Sequence, residues 1–218
     1  MKKRLGLTAV LLVLTVLSGR EFFRTLEDRQ DLVYSEALSK EAVTVDGNEL
    51  TLYDMAFYVA YQEMTVQKDA VIYNSEKPHK YWNAHTNGKF ISLVAEQAVI
   101  DMAVHDEIFY QMAVAEELVL DEREEAYLAN ELADFCSDVT AEQLDRLGVT
   151  TEDIEIAMRK VALANKYQSI LSQTKNMEYT EYDYTGSIYL AMLEQHEVVK
   201  NESVWSRITV GKITVNYK

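Results

Sequence analysis

Residues that interrupt helices are rare in this chain: its 218 residues include seven glycines and a single proline. Glycine and proline supply many of the tight turns that a sheet-rich sandwich or barrel needs between its short strands. A chain with so few of them favours long helices joined by a small number of turns. Because 48% of the residues are hydrophobic, those helices can bury a substantial core. The sequence therefore predicts a mainly α fold, a multi-helix domain.

Hydrophobic periodicity and capping residues place these helices along the chain. The longest is predicted over about 89–119 and would measure about 45 Å at 1.5 Å per residue, so we expect part of it to arch or project. A loop over 74–88 precedes it, with Trp82 packing back onto the domain. The apolar stripe of the long helix is Ile91, Val94, Ala98, Met102, His105, Phe109 and Met112. The other helices are predicted at about 52–73, 121–136, a short stretch ending at Gly148, 151–174 and 185–199.

Two segments have the pattern of strands instead. Residues 42–45 (AVTV) form a short apolar run closed by the turn signal Asp46-Gly47. The C-terminal tail alternates Ile208, Val210, Ile213 and Val215 around Gly211-Lys212, a pattern typical of a hairpin. An isolated hairpin is marginal in water, so we expect both segments to pair in one small antiparallel sheet. Its exposed edge would allow addition of a client strand, or a homodimer by strand exchange.

The N-terminus has the pattern of an export signal. Lys2, Lys3 and Arg4 precede thirteen uncharged residues, 5–17, which are shorter than a relaxed membrane span. Cleavage after Ser18 would release the protein, and an uncut segment would anchor it. Arg20 stands where a lipobox requires cysteine, which excludes lipid attachment there. We therefore predict a signal peptide or anchor over 1–19, a tether over 20–41 and a folded domain over 42–218, secreted or held at the outer face of the cytoplasmic membrane.

Charge and motif content exclude several function classes. The net charge of −15 argues against nucleic acid, whose phosphates need lysine and arginine, and against docking on anionic lipid; contact with the membrane is expected only through the N-terminal segment. No nucleophile elbow or glycine-rich phosphate loop occurs. Cys136 is the only cysteine and is expected in the core. Asp101 and His105 share a helix face, yet metalloprotease spacing is absent, so an ion pair or core-edge histidine is expected rather than a metal site. We predict no catalytic residue, no metal and no cofactor.

Two stretches resemble a known family. Residues 43–51 (VTVDGNELT) match the strand-turn pattern V-x-V-N-G-x-x-I-T, with Asp46 in place of the usual asparagine. Residues 144–154 (LDRLGVTTEDI) contain the end of one short helix and the start of the next helix. Over about 42–175 the order of elements resembles the N-terminal, SurA-like chaperone domain of exported parvulin-type foldases of the SurA and PrsA kind. The isomerase module that follows in that family has no counterpart here. The resemblance implies a chaperone part without the enzyme.

The predicted function is therefore a non-enzymatic, chaperone-like binder of unfolded or partly folded exported polypeptides. Fourteen tyrosines and eight methionines offer large, adaptable contact surfaces, which we expect between the long helix and its neighbours. The candidate client-binding residues are Met55, Tyr58, Met102, Phe109, Met112 and Tyr182. The alternative is a structural or assembly subunit of a cell-surface or secretion apparatus that binds one fixed protein partner.

Overall fold

The computed structural model describes residues 31–216; the predicted signal segment and its cleavage site lie outside this range. Eight helices and five short strands occur in the described part of the chain. In chain order they are β1 (Glu41–Val45), β2 (Asn48–Thr51), α1 (Leu52–Tyr73), α2 (His79–Trp82), β3 (His85–Thr86), β4 (Lys89–Phe90), α3 (Ile91–Ala115), α4 (Glu122–Asp138), α5 (Ala141–Leu147), α6 (Thr151–Lys175), α7 (Ser187–Leu193), β5 (Val198–Lys200) and α8 (Glu202–Trp205). The mainly α prediction with a small antiparallel sheet is confirmed.

Local capping chemistry sets the start of four helices. In each, a side chain at the N-cap and one three residues later bond to each other's backbone, which satisfies N–H groups that lack an intrahelical partner. The four pairs are Thr51 with Asp54, Asp121 with Glu124, Thr140 with Gln143, and Thr150 with Asp153. Gly148 ends α5 at a φ of +73°, where glycine avoids the strain of a left-handed residue. These boundaries agree with the sequence prediction.

The three long helices form the centre of the domain. α3 packs most extensively against α6, α1 packs against α3, and α4 covers the outer side of α6. α3 is shorter than predicted, 25 residues or about 37 Å, because Ala115 is followed by a turn with Glu117 at a φ of +53°. Trp82 packs back as predicted: it is buried and its indole N–H donates to Gln67 Oε1 at 2.9 Å. No helix in residues 31–216 has the length and apolar content to cross a membrane.

The main sheet has the strand order β2-β1-β5 and is antiparallel throughout. β1 and β2 are joined by Asp46 and Gly47, both at positive φ (50° and 85°), as a two-residue hairpin turn requires. β5 supplies the third strand, with Thr44 opposite Val199. The predicted partner of β1 was therefore wrong. The predicted helix over 185–199 ends at Leu193, and β5 follows it after a short turn.

The C-terminal tail is not a hairpin. Ile208, Val210, Ile213 and Val215 are all buried, so their alternation does mark an inward face. However, the backbone N–H groups of Gly211, Ile213 and Thr214 donate to the side chain of Glu63 on α1 rather than to a neighbouring strand. With those donors occupied and Gly211 at a φ of +101°, no strand ladder forms across residues 207–216.

The beginning of the described chain belongs to the packed domain. Tyr34 is buried and its hydroxyl donates to the carbonyl of Leu52 at 2.6 Å. The backbone N–H of Leu32 donates to the carbonyl of Arg207 at 2.8 Å. The segment predicted as a tether over 20–41 is therefore part of the domain from residue 32 onward.

Candidate functional site

A groove of about 550 Å³ opens between α1, α4 and α6. Its base is formed by residues of α3. Its end is closed by Asp183 and Tyr184, which belong to the connector between α6 and α7, residues 176–186. Large apolar side chains form most of its floor. The groove floor consists of Phe57, Tyr58, Tyr61, Met64, Met102, Phe135, Met158 and Val161.

Helical spacing brings the floor side chains together. Phe57, Tyr61 and Met64 recur at intervals of four and three residues and so share one face of α1. The ring of Phe57 lies 5.4 Å from that of Phe135 on α4 and 5.3 Å from that of Tyr58, measured between centroids. These tilted and edge-on arrangements suit aromatic quadrupoles. Tyr61 remains 43% exposed, so part of the aromatic surface is available to a ligand.

Carboxylates stand above this floor. We call Glu131, Asp134 and Asp138 of α4, together with Asp183, the acidic rim. Asp138 forms an ion pair with Lys68 at 3.0 Å, and Asp183 accepts a hydrogen bond from the amide of Gln168 at 2.8 Å. Hydrogen bonding to Glu131 raises the pKa of Tyr127. No lysine or arginine is among the described residues that line the groove, so the rim gives it a negative potential.

A buried polar network supports the base of the groove. The hydroxyl of Tyr58 donates to Asp106 Oδ2 at 3.0 Å, and His105 Nδ1 lies 2.8 Å from Asp106 Oδ1. His105 Nε2 donates to the carbonyl of Tyr182 at 2.9 Å, since a carbonyl oxygen can only accept. Burial, and next the charge of Asp106, raise the pKa of Tyr58 well above its usual value. Every polar atom named here has a partner, so the network fixes the connector to α3.

This network defines the surroundings of His105, for which the sequence predicted an ion pair or a core-edge position rather than a metal site. The sequence paired it with Asp101 as a conceivable metal site, but Asp101 accepts a hydrogen bond from Gln97 at 2.8 Å, and both ring nitrogens of His105 are used elsewhere. Burial raises the pKa of Asp101. Within residues 31–216 no three histidine, cysteine, aspartate or glutamate side chains are placed to hold a metal ion. The partner of His105 is its immediate neighbour in sequence, Asp106.

The structure separates the six predicted client-binding residues into three sets. Tyr58 and Met102 line the groove. Met112 and Tyr182 line a second apolar cavity of about 540 Å³ between α3, α6 and α7, together with Tyr167 and Met192. Met55 and Phe109 are 0% exposed and form part of the hydrophobic core. These two residues have no surface that a client could contact, which corrects the prediction for them. Tyr58 and Tyr182 are also buried, at 4% and 3% exposed, so Met102 and Met112 are the half-buried members of the six.

Sequence reasoning missed most of the groove floor. Apolar side chains occur all round α1, so periodicity did not distinguish the face that meets the core from the face that lines the groove. Phe57 and Phe135 are 78 positions apart and meet only because α1 and α4 lie on the same side of the domain. The line of acidic residues on α4 was the usable signal, although alone it is typical of an ordinary solvated helix.

Comparison of the chain with protein-family models, with curated proteins and with solved structures gives no match. The resemblance to the SurA-like domain therefore stays a prediction.

Proposed function

We propose that this protein is a non-enzymatic, chaperone-like binder of unfolded or partly folded polypeptides, acting outside the cytoplasm. The observation that supports the proposal is the open groove, which is lined by aromatic and methionine side chains of α1, α3, α4 and α6. Tyr61 is exposed, and Phe57, Met64 and Met102 are half-buried. Methionine repacks around differently shaped partners, and tyrosine and phenylalanine supply a large contact area with few torsions to order.

The dimensions of the groove suit a short polypeptide segment. Side chains of α6 line the groove from Met158 to Gln168, a separation of ten positions that corresponds to a rise of about 15 Å. An extended chain covers that length with four or five residues. Such a contact is small, and the bound segment must be ordered, so binding is expected to be weak and exchangeable. Weak exchange suits a protein that holds many different clients for a short time.

The chemistry of the lining also favours binding over catalysis. The described residues that line the groove include no serine, threonine, cysteine or lysine that could attack a substrate. The one histidine, His105, has both ring nitrogens in hydrogen bonds within the protein. The proposed location outside the cytoplasm rests on the basic and apolar pattern of the N-terminus. The non-enzymatic proposal agrees with the resemblance of residues 42–175 to a SurA-like chaperone domain without the isomerase module.

The test is suppression of aggregation by the full chain. A chemically denatured, aggregation-prone protein is diluted into buffer, and light scattering is followed with increasing amounts of this protein. We expect scattering to fall with the unaltered chain and to recover with the double variant Tyr61→Ala/Met64→Ala, which truncates the exposed part of the groove floor.

A matched control separates the groove from general surface hydrophobicity. Val71→Ala/Ile72→Ala removes two apolar side chains from the same helix at positions 46% and 84% exposed, outside the groove. This control should suppress scattering as well as the unaltered chain. Equal activity of the groove variant, or no suppression by the unaltered chain, would contradict the proposal.

A second surface supports the alternative function, an assembly subunit with one fixed partner. Six large apolar side chains are exposed where α1 ends and α3 begins, namely Val71, Ile72, Tyr73, Phe90, Leu93 and Val94. If this surface binds a dedicated protein partner, the variant Val71→Ala/Ile72→Ala would lose function in the cell. In the scattering assay neither the unaltered chain nor this variant would suppress aggregation. The scattering assay and a growth or secretion phenotype together distinguish the two functions.

A further inference from the structure

The carboxylates of α4 lie in one line along the groove. Glu131, Asp134 and Asp138 are spaced by three and four residues, so they share a helix face and span about 10 Å along its axis. Phe135, on the same helix, projects into the floor below them. A segment lying on the floor therefore passes these three carboxylates in succession.

The protein itself leaves much of this charge uncompensated. Lys68 pairs with Asp138 at one end of the line, and that pair is largely exposed to water. Two cations of α6 are already paired with carboxylates in the first turn of α4: Arg159 pairs with Glu125, and Lys166 pairs with Glu124 at 2.6 Å. Asp106 at the base accepts a hydrogen bond from Tyr58 and lies 2.8 Å from His105 Nδ1. The groove thus combines an apolar floor with a net negative rim.

We propose that the groove selects polypeptide segments in which lysine or arginine alternates with large apolar residues. The inference rests on the proposed function and specifies its client class. The apolar side chains would pack on Phe57 and Met64, and the cationic ones would reach the acidic rim. Arginine has an additional contact, because its guanidinium can stack on the exposed ring of Tyr61.

The gain from charge is moderate and depends on salt. An exposed ion pair changes an equilibrium constant by about 1.5- to 5-fold. Asp138 contributes less than Glu131 and Asp134 because it already pairs with Lys68, so the three carboxylates together give about tenfold tighter binding of a cationic segment than of a neutral one. The Debye length falls from about 10 Å at 0.1 M salt to about 3 Å at 1 M. The preference should therefore be lost at 1 M salt, whereas binding that depends on the apolar floor should persist.

The experiment compares three labelled twelve-residue peptides by fluorescence anisotropy with the full chain. They share the same apolar residues in the same order and carry lysine, glutamine or glutamate at three alternating positions. We expect the lysine peptide to bind about tenfold more tightly than the glutamine peptide, and the glutamate peptide to bind most weakly. Equal affinities for all three would overturn the charge selectivity and leave polypeptide binding in place. Absence of binding by every peptide would overturn the proposed function itself.

Two triple variants with the same change in net charge locate the effect. Glu131→Gln/Asp134→Asn/Asp138→Asn should bring the lysine peptide to the affinity of the glutamine peptide and leave the latter unchanged. The control neutralises three exposed carboxylates outside the groove, by the changes Glu76→Gln, Glu116→Gln and Glu194→Gln. It should bind the lysine peptide like the unaltered chain. If the control loses as much affinity as the groove variant, the overall charge of the protein is responsible and the proposed selectivity of the groove is wrong.

Discussion

Replacing Glu63 with glutamine tests how the C-terminal tail is held in the domain. Glu63 lies in the middle of α1 and is 0% exposed. Its carboxylate accepts four hydrogen bonds from the tail: Oε1 from the backbone N–H groups of Gly211 and Ile213 at 2.5 and 3.1 Å, and Oε2 from the N–H and hydroxyl of Thr214 at 2.6 and 2.5 Å. The tail is thus wrapped around one buried acceptor.

The expected loss of stability follows from these contacts. A glutamine at this position keeps one accepting oxygen and places an NH2 group, a donor, against at least one donating N–H. One backbone N–H then stays buried without a partner, which costs about 1–3 kcal/mol, and the remaining bonds lose their charged acceptor, which costs about 1 kcal/mol each. Burial raises the pKa of Glu63, so relief of the buried charge offsets part of this loss. We expect a net destabilisation of about 3 kcal/mol.

The measurement is reversible thermal or urea unfolding followed by circular dichroism. A loss of about 3 kcal/mol lowers the Tm of a chain this size by about 6–12 °C. The control is Asp69→Asn, the same chemical change at an exposed position of the same helix, which should shift the Tm by no more than 1–2 °C. Equal stability of Glu63→Gln and the unaltered protein would refute the buried-acceptor account of the tail.

Three further predictions test other parts of the structure. Gly211→Ala should destabilise the domain by about 2–4 kcal/mol in the same unfolding assay, because an added Cβ would lie 2.3 Å from the ring of Trp82 at a φ of +101°; a neutral result would mean that the tail can move away from α2. The hydrogen bond with His196 lowers the pKa of Asp46 from 3.8. The unaltered protein should therefore be more stable than Asp46→Asn above about pH 4, and this difference in free energy of unfolding should disappear as the pH falls through the lowered pKa. A stability difference that grows in acid would contradict the assignment. The purified protein should not accelerate a proline-limited peptide assay, whose uncatalysed step takes tens to hundreds of seconds, and acceleration would reveal a catalytic site that the described residues do not suggest.

The helices were predictable because their signals are local. Thr150 and Asp153 specify a helix start through bonds between residues three apart, and Gly148 specifies an end through its own φ. The turn at Asp46-Gly47 is equally local. None of these interactions needs a distant partner, so the residue types and their spacing were sufficient.

The C-terminal tail shows where such reasoning fails. Its alternation correctly marked Ile208, Val210, Ile213 and Val215 as inward-facing, yet alternation reports only which side chains are buried. Where the backbone N–H groups donate is decided by the nearest buried acceptor, and Glu63 lies about 150 positions away in sequence. The strand β5 was missed for a related reason: three residues are too few for a period, and only pairing with β1 makes them a strand.

The sequence by itself determined a helical domain, the starts of four of its helices, the first β-turn and the acidic character of the protein. Each of these depends on composition or on residues within a few positions of one another. Only the tertiary structure decided that Phe57 meets Phe135, that Met55 and Phe109 are core rather than contact surface, and that the carboxylates of α4 stand above an apolar floor. Those outcomes depend on which faces of α1, α4 and α6 stay open after the core is packed. When a helix is apolar on more than one side, its hydrophobic periodicity does not show which face will be buried.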